Sequence, residues 1–265
     1  MERKYGYIPS PKDLRDYKIN KAYRNIELPE EFECHHGRIK DQGTVNSCVA
    51  HAISSALEAS DDINYSTGWI YGYRPTGYYQ GEGMITSQAL KTVNKAGYVE
   101  NKELDVNIEV PEAADIVNKN LNVYRERASK KKIALYARLN SLEEIKQSIY
   151  VNKKPVLLAI LVGNKGIELD KKYIAQIPSE YSGGHQMVCY GWNEYGLLIQ
   201  NSWGDKWGNK GTFILPYEYP ISEAWMIKHN SNITGSSSIV KPKFYLLRNI
   251  IMKLIKLFKK LFRMC

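Results

Sequence analysis

Three short clusters combine residue types that can break a bond. Cys48 follows Ser47 at the head of a stretch whose small and apolar residues, Val49, Ala52, Ile53, Ala56 and Leu57, recur at helical spacing. A thiol at a helix start feels the positive end of the helix dipole, which favours the nucleophilic thiolate. The first backbone N–H groups of a helix lack intrahelical partners, so they can donate to a developing oxyanion. Gln42 lies six residues upstream and can bring a second donor through its side-chain amide. Gly183-Gly184-His185 precedes an apolar run. An imidazole can take a thiol's proton and later return it to a leaving amine, and the two glycines let another chain approach. Asn201-Ser202-Trp203-Gly204 supplies an amide oxygen that can accept from an imidazole N–H and an indole that can shield that bond from water.

These side chains need elements to hold them. The spacing predicts a helix over about 48–59, capped by Ser47. A second helix is predicted over 86–96, closed by Gly97, and a third over 111–121, opened by Pro111. Residues 132–139 alternate as a strand. Ser141-Leu142-Glu143-Glu144 reads as a capping box opening a helix over 141–152. Strands are expected over 156–162, 187–192, 196–200 and 211–215, and the Tyr- and Gly-rich stretch 64–83 reads as loop. Helices early and strands late give an α+β class. The expected organisation is an N-terminal arm over 1–41, a helical lobe with the nucleophile over 42–130, and a strand-rich lobe with His185 and Asn201 over 131–230. A Ser-rich linker over 231–240 and a basic tail over 241–265 follow.

With these motifs in view, the chain resembles the papain family of cysteine peptidases. Gln42-Gly43, Ser47-Cys48, Gly184-His185 and Asn201-Ser202-Trp203-Gly204 follow the family's order, and His185 and Asn201 come 137 and 153 residues after Cys48. The resemblance runs from about Leu28 to Pro216. It implies a two-lobe papain-like fold with the active site in the cleft between lobes, and a cysteine endopeptidase working through an acyl-enzyme without a cofactor. It also implies that Cys48 is the nucleophile at a solvent-reached groove, His185 the base, Asn201 its orienting partner, Gln42 part of the oxyanion hole and Trp203 the cover of the Asn–His contact. Gly83 and Met84 resemble the loop that pairs with an extended peptide, and Ala159, Gly184 and Gln186 are expected to shape the substrate site beside them. Val45 and Val49 depart from the family's Cys and Trp, and the usual disulfide partner near Gly81-Glu82-Gly83 is absent as well, which fits a reducing compartment. A long inhibitory prosegment is not expected, though the short arm could occupy the cleft. A catalytically silent module on the same fold, or an amidase or transpeptidase of cell-wall peptides, is the alternative.

Bulk features set the surroundings. The formal charge of +9 comes from 37 basic and 28 acidic residues, and the last 25 residues hold eight of the basic ones and no acidic one. The body is thus close to neutral, which argues against nucleic acid as a partner. Residues 244–264 place Ile251, Leu254, Ile255, Phe258 and Leu261 on one helical face and Lys253, Lys256, Lys259, Lys260 and Arg263 on the other, a pattern suited to an anionic membrane surface or to docking on protein. With no apolar signal core after Met1 and no CxxC among Cys34, Cys48, Cys189 and Cys265, a cytoplasmic protein without metal is expected, with peripheral membrane association through the tail. The Cys34-His35-His36 triplet lacks a complementary ligand pair nearby, and His51, three residues after Cys48 on the same helix, reads as packing.

Overall fold

A computed structural model describes residues 5–13, 16, 18–19, 26–73, 83–103, 121–229 and 239–240. The first helix, α1 (Cys48–Asp61), is buried from Cys48 through Ala59. Ala50, Ala52, Ser54, Ser55, Ala56 and Ala59 keep it slim enough to be packed on every side. Ser47 stands at its N-cap, but its side chain caps nothing. The hydroxyl instead meets His51 Nδ1 at 3.2 Å, because the tight backbone turn from Val45 to Ser47 (Ser47 N–H to Val45 O, 2.8 Å) rotates it away from the helix start. His51 is buried on α1 with Nδ1 also 3.0 Å from Ser47 O, the packing position expected.

Next comes α2 (Thr67–Gly72), inside the stretch read as loop. Its six residues are weak helix formers, but Ser66 caps Trp69 N–H, and burial of Trp69 and Ile70 against α1 outweighs propensity. Then follow α3 (Thr86–Lys95), α4 (Leu121–Ala128) and α5 (Leu142–Asn152). The helix expected over 111–121 lies outside the described residues except for Leu121, and α4 was not anticipated. In α5 the Ser141 side chain caps Glu144 N–H at 3.1 Å, and Glu144 accepts from Asn140 N–H.

The strands are β1 (Tyr7–Ile8), β2 (Lys18–Ile19), β3 (Phe32–Glu33), β4 (Met84–Ile85), β5 (Ile133–Leu139), β6 (Val156–Val162), β7 (Gly183–Asn193), β8 (Gly196–Gln200), β9 (Thr212–Leu215), β10 (Ile221–His229) and β11 (Ile239–Val240). Among the described residues they form a nine-stranded, mostly antiparallel sheet in the order β11-β2-β5-β10-β6-β7-β8-β9, with β3 also on β7, and a small parallel pair of β1 with β4. β10, absent from the sequence reading, sits in the middle of that sheet.

Alternation along the strands divides the core. Leu157, Ala159, Val188 and Trp225 face the α1 side, while Val156, Leu158, Ile160, Met187 and Cys189 face the side covered by α5. The far end of α1 is tied to the loop before it by Glu58, a buried carboxylate that meets Arg38 and, at 2.9 Å, Lys40. No helix among the described residues is long and apolar enough to cross a membrane, and the tail assigned to a membrane surface lies outside them.

Candidate active site

The two lobes meet where the N-terminus of α1 abuts β7. The backbone N–H groups of Gln186, the residue after His185, and of Val49 and Cys48 itself act on Cys48 Sγ in the direction that favours the thiolate. His185 lies on β7 opposite Ile160 of β6. Its Nε2 is 2.7 Å from Asn201 Oδ1. Asn201 Oδ1 also accepts from Ser202 N–H at 2.8 Å, which fixes that atom as the oxygen. Nε2 therefore carries the proton and donates it, so the lone pair of the neutral ring is on Nδ1, buried without a hydrogen-bond partner among the described residues. Trp203 stacks on the imidazole, centroids 4.7 Å apart at 28°, and closes the Asn–His contact from water.

Gln42 is buried in the loop before α1. Its Nε2 donates to Val45 O at 2.9 Å and its Oε1 accepts from Ser202 Oγ at 2.7 Å, so the Asn201-Ser202 turn orients both the imidazole and the amide. The residues expected at the substrate site also gather here. Gly83 N–H donates to Tyr71 OH, Met84 opens β4, Ala159 pairs with Gln186 across β6 and β7, and Gln186 Oε1 accepts from Thr86 Oγ1 at 2.6 Å. Gly81 and Glu82 lie outside the described residues.

One expectation fails. Cys48 and His185 have no solvent-exposed surface, where the sequence reading placed the sulfur at an open groove. The N-terminal arm lies through the cleft. Gly6 N–H donates to Gly184 O at 3.3 Å, and Met84 N–H donates to Gly6 O at 2.7 Å, so the arm bridges the two walls. Gly6 passes so close to Asn46 that a methyl there would overlap the Asn46 carbonyl. Tyr5 packs beside His185 and Trp203, and Tyr7 fills the space between Gly184, Met84 and Ser222, its OH 2.8 Å from Ser222 Oγ. Burial then reverses the helix-dipole expectation: it pushes the Cys48 thiol up to about 12 despite three backbone N–H groups, and His185 down to about 4 despite the Asn201 contact. The sequence reading allowed the arm to occupy the cleft but named none of Tyr5, Gly6 and Tyr7, whose one visible trace was an aromatic–Gly–aromatic triplet.

Beyond the arm, Arg138 ties its continuation to the sheet through Asp16 at 3.0 Å, Pro11 O at 3.2 Å and Glu223 at 3.1 Å. A cavity of about 610 Å³ opens beside this cluster, between Lys12, Asn140, Leu142 and Ser222, and holds none of the candidate catalytic side chains.

A slim central helix carrying a cysteine against an inner strand of an antiparallel sheet that bears an Asn-bound histidine defines the class, a cysteine peptidase. The sequence model of the papain family cysteine proteases matches residues 28–231, and the chain belongs to that family. It is a hydrolase that acts on peptide or protein substrates. An uncharacterized peptidase C1-like protein of Acanthamoeba polyphaga mimivirus is 25% identical over an alignment 273 positions long that covers 84% of each chain. Among solved structures, xylellain, a cysteine protease from Xylella fastidiosa, superposes with a TM-score of 0.71 at 24% identity over 86% of this chain and 98% of its own. Digestive procathepsin L 3 of Tenebrio molitor larval midgut superposes with a TM-score of 0.61 at 14% identity, over 85% and 76% respectively.

Proposed function

We propose that Cys48, His185, Asn201 and Gln42 hydrolyse peptide bonds through an acyl-enzyme, and that the arm holds the described conformation closed. The observation that carries the first part is the fixed tautomer of His185. With Nε2–H engaged by Asn201, Nδ1 is the nitrogen available to take the Cys48 proton. The resulting thiolate attacks the peptide carbonyl carbon, and the oxyanion is met by the N–H of Cys48 and the Gln42 amide. As the C–N bond breaks, imidazolium returns its proton to the leaving amine. A thioester remains. Water then gives a proton to Nδ1 and attacks the thioester; the acid leaves and the thiol reforms.

Arm polarity supports the second part. His185 must stand beside the leaving amine, so the substrate residue after the cut bond emerges on the His185–Trp203 side. The acyl portion then lies along Gly83, Met84, Ala159, Gly184 and Gln186. A substrate runs from β4 towards Trp203, whereas the arm runs from Tyr5 at Trp203 to Tyr7 at β4. It occupies the cleft backwards and presents no bond in the productive direction. Its withdrawal precedes turnover.

The test uses the full chain carrying Gly6→Ala, whose methyl evicts the arm, against quenched fluorogenic peptides. Cleavage that disappears on adding Cys48→Ala is the expected result. Cleavage persisting without the thiol overturns the reading, as does a folded, alkylatable Gly6→Ala chain that cuts nothing.

A further inference from the structure

Tyr5 is seated in a slot whose shape exceeds what a strap needs to cross a cleft. A Cβ on Gly183 would come within 2.9 Å of Tyr5 Cδ2, and one on Gly166 within 2.8 Å of Tyr5 OH. The missing side chains thus leave room for the ring's Cδ2 edge at Gly183 and for its hydroxyl at Gly166. Trp203 borders it with centroids 6.2 Å away, and the edge of His185 stands at 6.0 Å and 73°. Gly166 has φ +81°, closing the turn from Gly163 with a 2.9 Å hydrogen bond, so the position that opens the slot is also one that disfavours any side chain. A planar ring meets His185 and Trp203 here at the centroid distances aromatic pairs prefer, an interaction a branched aliphatic chain does not make.

We infer that this slot is a specificity pocket for the residue immediately after the scissile bond, and that it selects a planar aromatic side chain, Tyr or Phe. The inference rests on the catalytic reading above, because the slot's place on the leaving-group side follows from His185 as the acid. Tyr5 is then a resident occupant that substrate replaces. The slot is built by Gly166 and Gly183, which touch the ring and none of the reacting atoms.

Two readouts test it on the full chain with Gly6→Ala. In the first, peptides differ only after the cut bond. A Tyr peptide should exceed its Ala counterpart in kcat/KM by about tenfold or more, and Gly183→Ala should bring the ratio to within about threefold of unity. In the second, calorimetry follows tyrosine amide and alanine amide binding to the chain with Cys48→Ala, where no turnover occurs. Tyrosine amide should bind and alanine amide should not, and Gly183→Ala should abolish the difference. Cleavage without aromatic preference, or an aromatic preference indifferent to Gly183→Ala, overturns the pocket while leaving the catalytic reading intact. Selective tyrosine amide binding in a chain that cuts no peptide supports the pocket and counts against the catalytic reading alone.

Discussion

Cys48 and Cys189 occupy environments that look alike by burial and differ in what does the burying. Both have no exposed surface, and burial pushes both thiols up to about 12. Cys189 lies mid-strand in β7, paired to Val156 on one side and Ile199 on the other, inside the core that α5 covers. Exposing it means dismantling the sheet. Cys48 lies at a helix start, and the arm crosses over it with two residues of strand and hydrogen bonds at Gly6 and Tyr7. Bonds of that kind contribute about 1 kcal/mol each, so the arm can open locally while the fold stays intact. Burial alone therefore separates no catalytic cysteine from a structural one; the free energy of uncovering does.

The largest expected effect breaks the likeness outright. Gly6→Ala should accelerate iodoacetamide labelling of Cys48 by at least about a hundredfold at pH 7, because both access and thiolate fraction rise once the arm leaves. Cys189 should stay unlabelled in both chains, as read by peptide mass mapping. Equal labelling of the two thiols would show that the cover over Cys48 is as permanent as the sheet. The alanine variants then sharpen the contrast. In the Gly6→Ala background Cys48→Ala should remove peptide cleavage, whereas Cys189→Ala should keep it. Cys189→Ala should instead cost about 1–2 kcal/mol in stability, a melting shift of a few degrees.

Acid separates the two sites in the same direction. In the closed form burial holds His185 down to about 4 against an ordinary 6.5. Closure that depends on neutral His185 is therefore fully present above pH 6.5 and is lost as pH falls towards 4. At pH 5 the linkage amounts to about 2 kcal/mol, roughly thirtyfold in opening. His51, buried on α1, is held down likewise, and Asp16, raised by burial beside Arg138, works against the trend because protonation relieves it. Amide exchange at Gly6 and Met84, corrected for the intrinsic pH dependence, should quicken by about tenfold from pH 7 to pH 5, while Cys189 should not change. No change at Gly6 would mean that His185 does not couple to the arm.

The same contrast explains what the sequence made legible. The proposed catalytic quartet and its elements, α1, α3, α5 and β5 to β9, are readable because spacing and periodicity are local. α2 is not, since Thr67-Gly68-Trp69-Ile70 becomes helical only when Trp69 is buried against α1. β10 hides because Pro220, Ser222 and Glu223 interrupt any alternation, although Glu223 is buried by its tie to Arg138. The arm is the furthest from legible. A two-residue strand has no period, and its register is set by Gly83, Gly184 and Asn46, which are 40 to almost 180 residues away. The direction of the Cys48 shift went wrong for that reason: the helix-dipole reading assumed open solvent where a distant segment sits.

The smallest effect tests how finely the cover is balanced. Tyr7 is packed into the α1-side core, and its OH meets Ser222 Oγ at 2.8 Å. Burial and the nearby Glu223 carboxylate raise the phenol, so it stays neutral at any working pH. Tyr7→Phe keeps the ring and removes one hydrogen bond, which contributes about 0.5–1.5 kcal/mol. If the arm opens as a unit, Cys48 labelling should rise about three- to tenfold, with the melting temperature nearly unchanged because the arm contributes little to the global transition. A change in melting temperature without a change in labelling would place Tyr7 in the body of the fold, and the hinge of the cover would then lie at Gly6 instead.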